Sequence, residues 1–382
     1  MSDKEYEEID LIEVDEEVSR RIPNPDSVHQ KAVKKHTAQK AGKTSGKTTP
    51  WTYVGRTLLT ILVTVVILCG GIYALLCVLV YGPSKTAQEQ LIMSLRETSA
   101  MGFVANWFFT EDEVKAIIEK NSIKDTDQVT NTNLVTLPSS SEAVEADTQQ
   151  PEIEIVDIKG TTYRGKLMII KDPSRVFVGT IPAFTEGNGK VVADIAKQYG
   201  AIGGINGGEF VDGDTTYTGM PVGLVMTNGN IINGDTTTKY HVTGITNDNV
   251  LVVGNMNGQQ AKELGIRDCI SISNSIGPFL IINGEAQDVS GVGGGLNPRT
   301  AIGQRSDGTM LLLVVDGRQA NSLGASFADL IYIMQEYGAV NASTMDGGTS
   351  AQMYYDGAVI NTPYSPTGPR QCPTSFLVGG IN

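Results

Sequence analysis

The sequence predicts an α+β domain with a mixed or antiparallel sheet and few helices, preceded by one long apolar helix. Three observations predict it. Leu58–Tyr81 is 24 residues without a charge. Beyond Ile153, short β-rich runs recur between Asn-Gly and Asp-Gly turns. Two stretches in that region have helical spacing of apolar residues, each ending in Tyr-Gly-Ala.

Taken in order, residues 1–50 are polar, acidic over Met1–Glu17 and then basic through Lys31, Lys34, Lys35, Lys40, Lys43 and Lys47. Apolar residues are too sparse there to bury a core, which predicts a disordered tail. Leu58–Tyr81 is long enough to cross a bilayer. It starts too far into the chain for an ordinary cleaved leader. Trp51, Tyr53 and Tyr81 stand as interfacial aromatics, and the positive excess precedes the span. These features predict a single-pass membrane protein with its N-terminus cytoplasmic, the rest outside, and the lipid bilayer as a partner.

Residues 82–152 are expected to form a helical stalk and linker. Leu91, Ile92, Leu95 and Phe103 suggest one apolar face, Thr110 with Glu113 resembles a capping box, and Thr126–Pro151 is polar. The region 153–382 is large enough for one sizeable core. Strands are expected at Thr161–Lys171, Arg175–Thr180, Val222–Thr227, Val250–Val253, Phe279–Ile282, Thr300–Gln304, Met310–Val315 and Ser375–Val378. Asn228-Gly229, Asn283-Gly284 and Asp307-Gly308 mark turns.

The two helical stretches share a design. In the first, Val192, Ile195, Ala196 and Tyr199 line one side, Gly200 stops the helix, Ala201–Ile205 is a strand, and Asn206-Gly207-Gly208-Glu209 follows. In the second, Ser322 stands as a cap before Leu323, Phe327, Leu330, Ile331 and Met334; Gly338 stops the helix, Ala339–Met345 is a strand, and Asp346-Gly347-Gly348-Thr349-Ser350 follows. Two units that place polar groups and glycines at strand ends suit opposite walls of one cleft. The glycines admit close approach of a ligand, and their N–H groups suit an anion.

The net charge of −13 disfavours nucleic acid as a partner. His241 is the one histidine beyond the span, so a histidine–cysteine zinc cluster is excluded, and without a Gly-x-Ser-x-Gly elbow a serine triad is disfavoured. Val211-Asp212-Gly213-Asp214 and Asn247-Asp248-Asn249 are each short of a full calcium ligand set. No cofactor and no catalytic metal is expected; a structural Ca2+ stays open. Gly291–Gly295 is expected to be a flexible loop near the cleft. Cys269 and Cys372 lie beyond the span, where an oxidising compartment permits a disulfide. Arg299, Arg318 and Arg370 fall in Gly- or Pro-marked motifs, and arginine's planar fork suits phosphate or carboxylate.

INGGEF at 205–210, NPRTAIG at 297–303, VDGR at 315–318 followed by Ser322-Leu323-Gly324, MDGGTS at 345–350 and PR-x-x-PT at 369–374 occur in that order. Together they resemble the phosphodiester glycosidase family, over roughly Ile153–Asn382. The resemblance implies a hydrolase whose glycine-rich strand ends surround a cleft where a sugar is cleaved from a phosphodiester, as in exopolysaccharide or cell-envelope material. It implies catalytic roles for Asp346, Asp316 or Glu209. It also implies contacts to a carbohydrate-phosphate substrate from Asn206, Gly207, Gly208, Arg299, Arg318, Gly347, Gly348, Thr349, Ser350 and Arg370. Two alternatives are a non-catalytic module that binds envelope polymer and a metal-dependent hydrolase acting at the P–O bond.

Overall fold

A computed structural model describes residues 50–98, 101–137, 152–211, 218–365 and 368–380. Residues 1–49 of the expected tail, residues 138–151 of the expected linker, and the Asp212–Asp214 part of one calcium candidate lie outside the described residues. The first helix, α1 (Pro50–Tyr81), is apolar and exposed nearly all round. Its residues Trp51–Tyr81 are long and apolar enough to cross a membrane by length and composition.

The stalk region folds as α2 (Lys85–Arg96), a 3-10 turn at Gly102–Trp107 and α3 (Glu111–Asn121). Both halves of the Thr110–Glu113 capping box form, which satisfies two otherwise orphaned N–H groups. Ile92 and Val114 are buried between these elements, whereas Phe103 is 57% exposed. The described part of the expected linker is bonded to the domain along its length. Val129 bridges Gly254, the Thr130 N–H donates to Val253 O at 3.0 Å, and the Thr136 N–H donates to Ser306 O at 2.7 Å.

Three sheets make up the domain, and their strands pair antiparallel throughout. The largest, of seven strands, runs β1 (Ile153–Lys159), β2 (Arg164–Ile170), β13 (Met310–Asp316), β12 (Arg299–Arg305), β14 (Ala339–Met345), β10 (Phe279–Ile282) and β11 (Glu285–Ala286). The second, of five, runs β16 (Ala358–Val359), β15 (Met353–Tyr355), β4 (Ala201–Asn206), β17 (Thr374–Gly379) and β3 (Val176–Thr180). The third, also of five, runs β6 (Asn230–Asn233), β5 (Val225–Thr227), β9 (Ile266–Ser271), β7 (Lys239–Thr246) and β8 (Leu251–Asn257).

The continuous apolar run of β13 has a simple cause: both faces of its sheet are covered. Met310, Leu312 and Val314 enter a core shared by all three sheets, while Leu311, Leu313 and Val315 face α6 (Phe327–Glu336). The second sheet is covered by α4 (Val192–Tyr199), through Val192, Ile195 and Ala196. A further short helix, α5 (Gly258–Glu263), closes the third.

Turn chemistry follows the expectation. Asn228, Asn283 and the glycines after them all have positive φ, as a two-residue hairpin turn requires. Gly200 ends α4 in the left-handed conformation. The cap of α6 differs from expectation. Ser326, four residues after Ser322, caps it in a box with Asp329, and the helix starts at Phe327. Ser322 instead accepts from Arg164 N and donates to Asp316 O, and Leu323 is 54% exposed. The Ser-x-x-Asp spacing at 326–329 was the stronger signal, because it satisfies donors reciprocally. Cys269 and Cys372 are free thiols buried in separate clusters.

Candidate functional site

The two helix–strand–glycine units meet at their glycine ends. The Asn206 amide donates to Asp346 O at 2.6 Å, and Asp346 N–H donates to Gly207 O at 3.1 Å. The meeting point joins the second sheet to the first, since β4 ends at Asn206 and β14 at Met345.

The first unit is closed. Asn206 is fully buried, and its Oδ1 accepts from Thr300 Oγ1 at 2.8 Å and Gln352 N–H at 3.1 Å. Gly207 N–H donates to Thr374 O at 2.9 Å and Gly208 N–H to Thr374 Oγ1 at 3.3 Å. A Cβ at Gly208 would lie 2.3 Å from Ser271 O. The fit around this turn is between backbones, so it reads as architecture. Glu209 is half-buried and accepts from Ser273 N–H at 2.9 Å.

The second unit opens. After five buried residues, Asn341–Met345, the four residues Asp346–Thr349 are half-buried, and Ser350 is buried again. Gly348 has φ +60, and a Cβ there would lie 3.4 Å from both terminal nitrogens of Arg318. Its N–H donates to Pro298 O at 2.9 Å, so that donor is engaged within the fold. Burial, and then the Arg299 guanidinium, push the Arg318 pKa down, while Tyr364, Glu97 and Asp346 act the other way. Arg318 itself sits at φ +57, an unusual backbone state for a residue with a side chain.

Arg299 lies behind Arg318. It is 6% exposed and stacks over the Phe327 ring at 3.9 Å. Its Nε donates to Ala325 O at 3.1 Å and its Nη2 to Gly295 O at 2.8 Å and Glu97 Oε2 at 2.5 Å. A guanidinium so enclosed contributes its charge to the site through the fold. Two residues of this network, Glu97 and Thr98, have no counterpart in the sequence reading. No motif marked them, because they stand at the end of an amphipathic helix whose destination is a tertiary fact.

Asp316, also at a strand end, holds a loop. Its carboxylate accepts from Asn361 Nδ2 at 2.9 Å and from Thr362 N–H at 3.0 Å. Burial pushes its pKa up, against these bonds and the Lys166 charge. Arg370 has its guanidinium 5.6 Å from the Phe210 ring centre, and its carbonyl accepts from Gln352 Nε2. His241 stacks on Phe279 in the core, and burial lowers its pKa to about 4, so the ring is neutral at physiological pH. Asn249 has φ +61 and accepts from Arg267 Nη2 at 3.1 Å. The Gly291–Gly295 loop is pinned: Val292 N–H donates to Asn121 Oδ1 at 2.7 Å and Leu296 N–H to Ser94 Oγ at 2.9 Å.

Residues 199–379 match the family model for phosphodiester glycosidase. That range opens at the last residue of α4 and includes both glycine units. N-acetylglucosamine-1-phosphodiester alpha-N-acetylglucosaminidase of Mus musculus is 24% identical over 225 residues, 54% of this chain and 42% of that protein. A stretch of 65 residues is 45% identical to the SPbeta prophage-derived uncharacterized protein YomE of Bacillus subtilis (strain 168), covering 17% of this chain and 10% of that one. The chain thus spans less than half the length of these curated relatives. Among solved structures, the zebrafish N-acetylglucosamine-1-phosphodiester alpha-N-acetylglucosaminidase catalytic domain, auto-inhibited by its pro-peptide, is similar in fold. The TM-score is 0.50 at 23% identity, covering 62% of this chain and 86% of that one.

Proposed function

From the premise that residues 199–379 carry a phosphodiester glycosidase domain, we propose that this chain hydrolyses a sugar-1-phosphodiester at the Asp346–Arg318 face. One observation carries the reading: Asp346–Thr349 stand half open at the end of β14, and the half-buried Arg318 guanidinium lies against Gly348 in that stretch. In the proposed reaction a water oxygen bonds to the anomeric carbon while the bond from that carbon to the phosphate oxygen breaks. The bonding pair leaves with the phosphate, and Asp346 takes the water's proton or attacks first as nucleophile. A phosphate is a good leaving group, so the demand falls on stabilising its charge and the oxocarbenium-like centre. Arg318 faces the phosphate, and buried Arg299 adds positive potential behind it. Thr349, Ser350 and Arg370 complete the proposed wall. Asn206, Gly207 and Gly208 hold the Asp346 backbone in place.

The proposal extends to the whole chain. α1 anchors it in a bilayer with the N-terminus cytoplasmic, and the domain acts outside on exopolysaccharide or cell-envelope material. The exposed apolar surface of α1 and the basic residues before it support this. Protease added to intact cells is expected to remove the domain.

The test of function is turnover by the purified full chain in detergent, against a panel of sugar-1-phosphodiesters in 18O-labelled water. Label in the released sugar supports the glycosidase. Label in the phosphate points to P–O hydrolysis instead. Saturable binding of an envelope polymer with no turnover of any panel member points to a non-catalytic module.

A further inference from the structure

The donors around Glu97 form a directed chain. The Glu97 carboxylate accepts from Gly295 N–H at 2.8 Å, Asn297 Nδ2 at 2.8 Å and Arg299 Nη2 at 2.5 Å. With its Nδ2 toward Glu97, Asn297 turns its Oδ1 toward Arg318, where it accepts from Nε at 3.2 Å and Nη2 at 3.0 Å. The next residue of the same segment, Thr98, accepts from Arg318 Nη2 at 2.9 Å through its hydroxyl. A reversed Asn297 amide would set its oxygen against the Glu97 carboxylate and its NH2 against a guanidinium, both repulsive. The Glu97 charge therefore determines where the Asn297 oxygen points, and that oxygen determines where the Arg318 fork lies over Gly348.

We infer that Glu97 is a positioning residue of the site, and that the segment Ser94–Thr98, outside the family-matched range, is a structural part of it. This rests on the phosphodiester reading above. The carboxylate does not stand where a ligand would. Its three bonds go to the strap before β12 and to Arg299, whose side chain is only 7% exposed and is also held by two carbonyls and a ring. The bonds to Asn297 and Thr98 use Nε and Nη2 of Arg318, and Nη1 has no partner among the described residues. The segment thus orients the arginine and leaves one of its edges for the phosphate. Gln90, which donates to Gly294 O at 3.0 Å, and Ser94 attach the same helix to the strap, so α2 and the strap behave as one body.

The experiment uses the full chain in detergent micelles, with Glu97→Ala, Glu97→Gln, Arg318→Ala and the double variant Glu97→Ala/Arg318→Ala. Glu97→Ala is expected to lower kcat/KM about 30-fold, and Glu97→Gln, which keeps one acceptor oxygen, to recover part of that loss. In the Arg318→Ala background, removing Glu97 should cost less than about threefold, since its effect passes through that arginine. Backbone amide exchange at Gly295 should speed by about tenfold in Glu97→Ala while β12 and β13 exchange as before. Turnover that is unchanged or raised by Glu97→Ala would mean that the segment merely covers the site, and overturns the inference. Losses that multiply in the double variant overturn it as well. If the wild type turns over no sugar-1-phosphodiester, the glycosidase reading fails separately. The amide exchange then decides alone whether Glu97 holds the strap, and an unchanged rate sinks the positioning role.

Discussion

The unit ending in Asn206-Gly207-Gly208 and the unit ending in Asp346-Gly347-Gly348 have nearly the same sequence plan and opposite uses. Both run helix, left-handed glycine, strand, polar residue, two glycines. In the first, the polar residue is a neutral amide, fully buried, with internal bonds from both its oxygen and its nitrogen. In the second it is a carboxylate at a half-open position, in a stretch whose Gly348 packs against an arginine. The difference teaches how one local plan serves two ends. A neutral amide tolerates full burial once its bonds are made, whereas a carboxylate in the same place would need a cation or water. Burial assigns the first unit to architecture and leaves the second half open.

The comparison is open to breaking at several points. Asp346→Asn has the largest expected effect, a fall in turnover on the order of 10³-fold with an unchanged melting temperature. Near wild-type turnover would reduce Asp346 to a turn residue and erase the distinction between the units. The glycines sharpen it. Gly208→Ala forces a Cβ to 2.3 Å from Ser271 O, a contact that backbone must yield to relieve. Thermal unfolding should show loss of several kcal/mol, or no folded protein at all. Gly348→Ala meets the far end of a flexible arginine at 3.4 Å. It should unfold within about 2 kcal/mol of wild type, yet lose activity as the methyl group takes up space against the Arg318 guanidinium. Equal stability losses in the two variants would contradict the division between them.

Asn206→Ala removes a buried amide and strands Thr300 Oγ1 and Gln352 N–H. A cost of about 2–3 kcal/mol is expected from those unpaired groups, read as a lower denaturant midpoint. KM should stay close to wild type if the side chain touches no ligand. Asp316→Asn is a subtler control. Its carboxyl pKa is raised in the fold, chiefly by burial, so the folded state binds a proton more tightly than the unfolded chain. Stability from this group is therefore lost as pH rises from the ordinary carboxyl range through the raised value. The variant should flatten that part of the pH–stability curve and keep turnover within about threefold, in contrast to Asp346→Asn. A larger loss would move the catalytic role to Asp316. The smallest effect concerns Cys372, whose thiol burial pushes up to about 12. Together with buried Cys269 it should resist alkylation at pH 8 in the native protein. Rapid labelling of Cys372 without unfolding would show that the first unit opens.

Much of this was legible in the chain. The apolar run of α1, the hairpin turns at Asn-Gly pairs, the continuous core strand Met310–Val315 and the two helix–glycine–strand units are local patterns, and their periodicity carries the information. The cluster of motifs also marked Gly348 and Arg318, which the structure packs against one another. Strand partners were not legible. β13 pairs with β2 from more than a hundred residues away, and such pairings depend on which faces are left to bury once local elements exist.

The sequence by itself determined the elements and the residue types at their ends, because turns, caps and periodic faces are decided over a few residues. Only the tertiary structure decided which ends are buried. It enclosed Arg299 beneath Phe327, used Asp316 to hold the Asn361–Thr362 loop, and bound the Gly291–Gly295 strap to α2 and α3. It also brought Glu97, which no motif marks, against Asn297 and Arg299. The physical reason is range. A hydrogen bond between residues two hundred positions apart leaves no periodic trace at either end, and forms only where packing has already brought the two together.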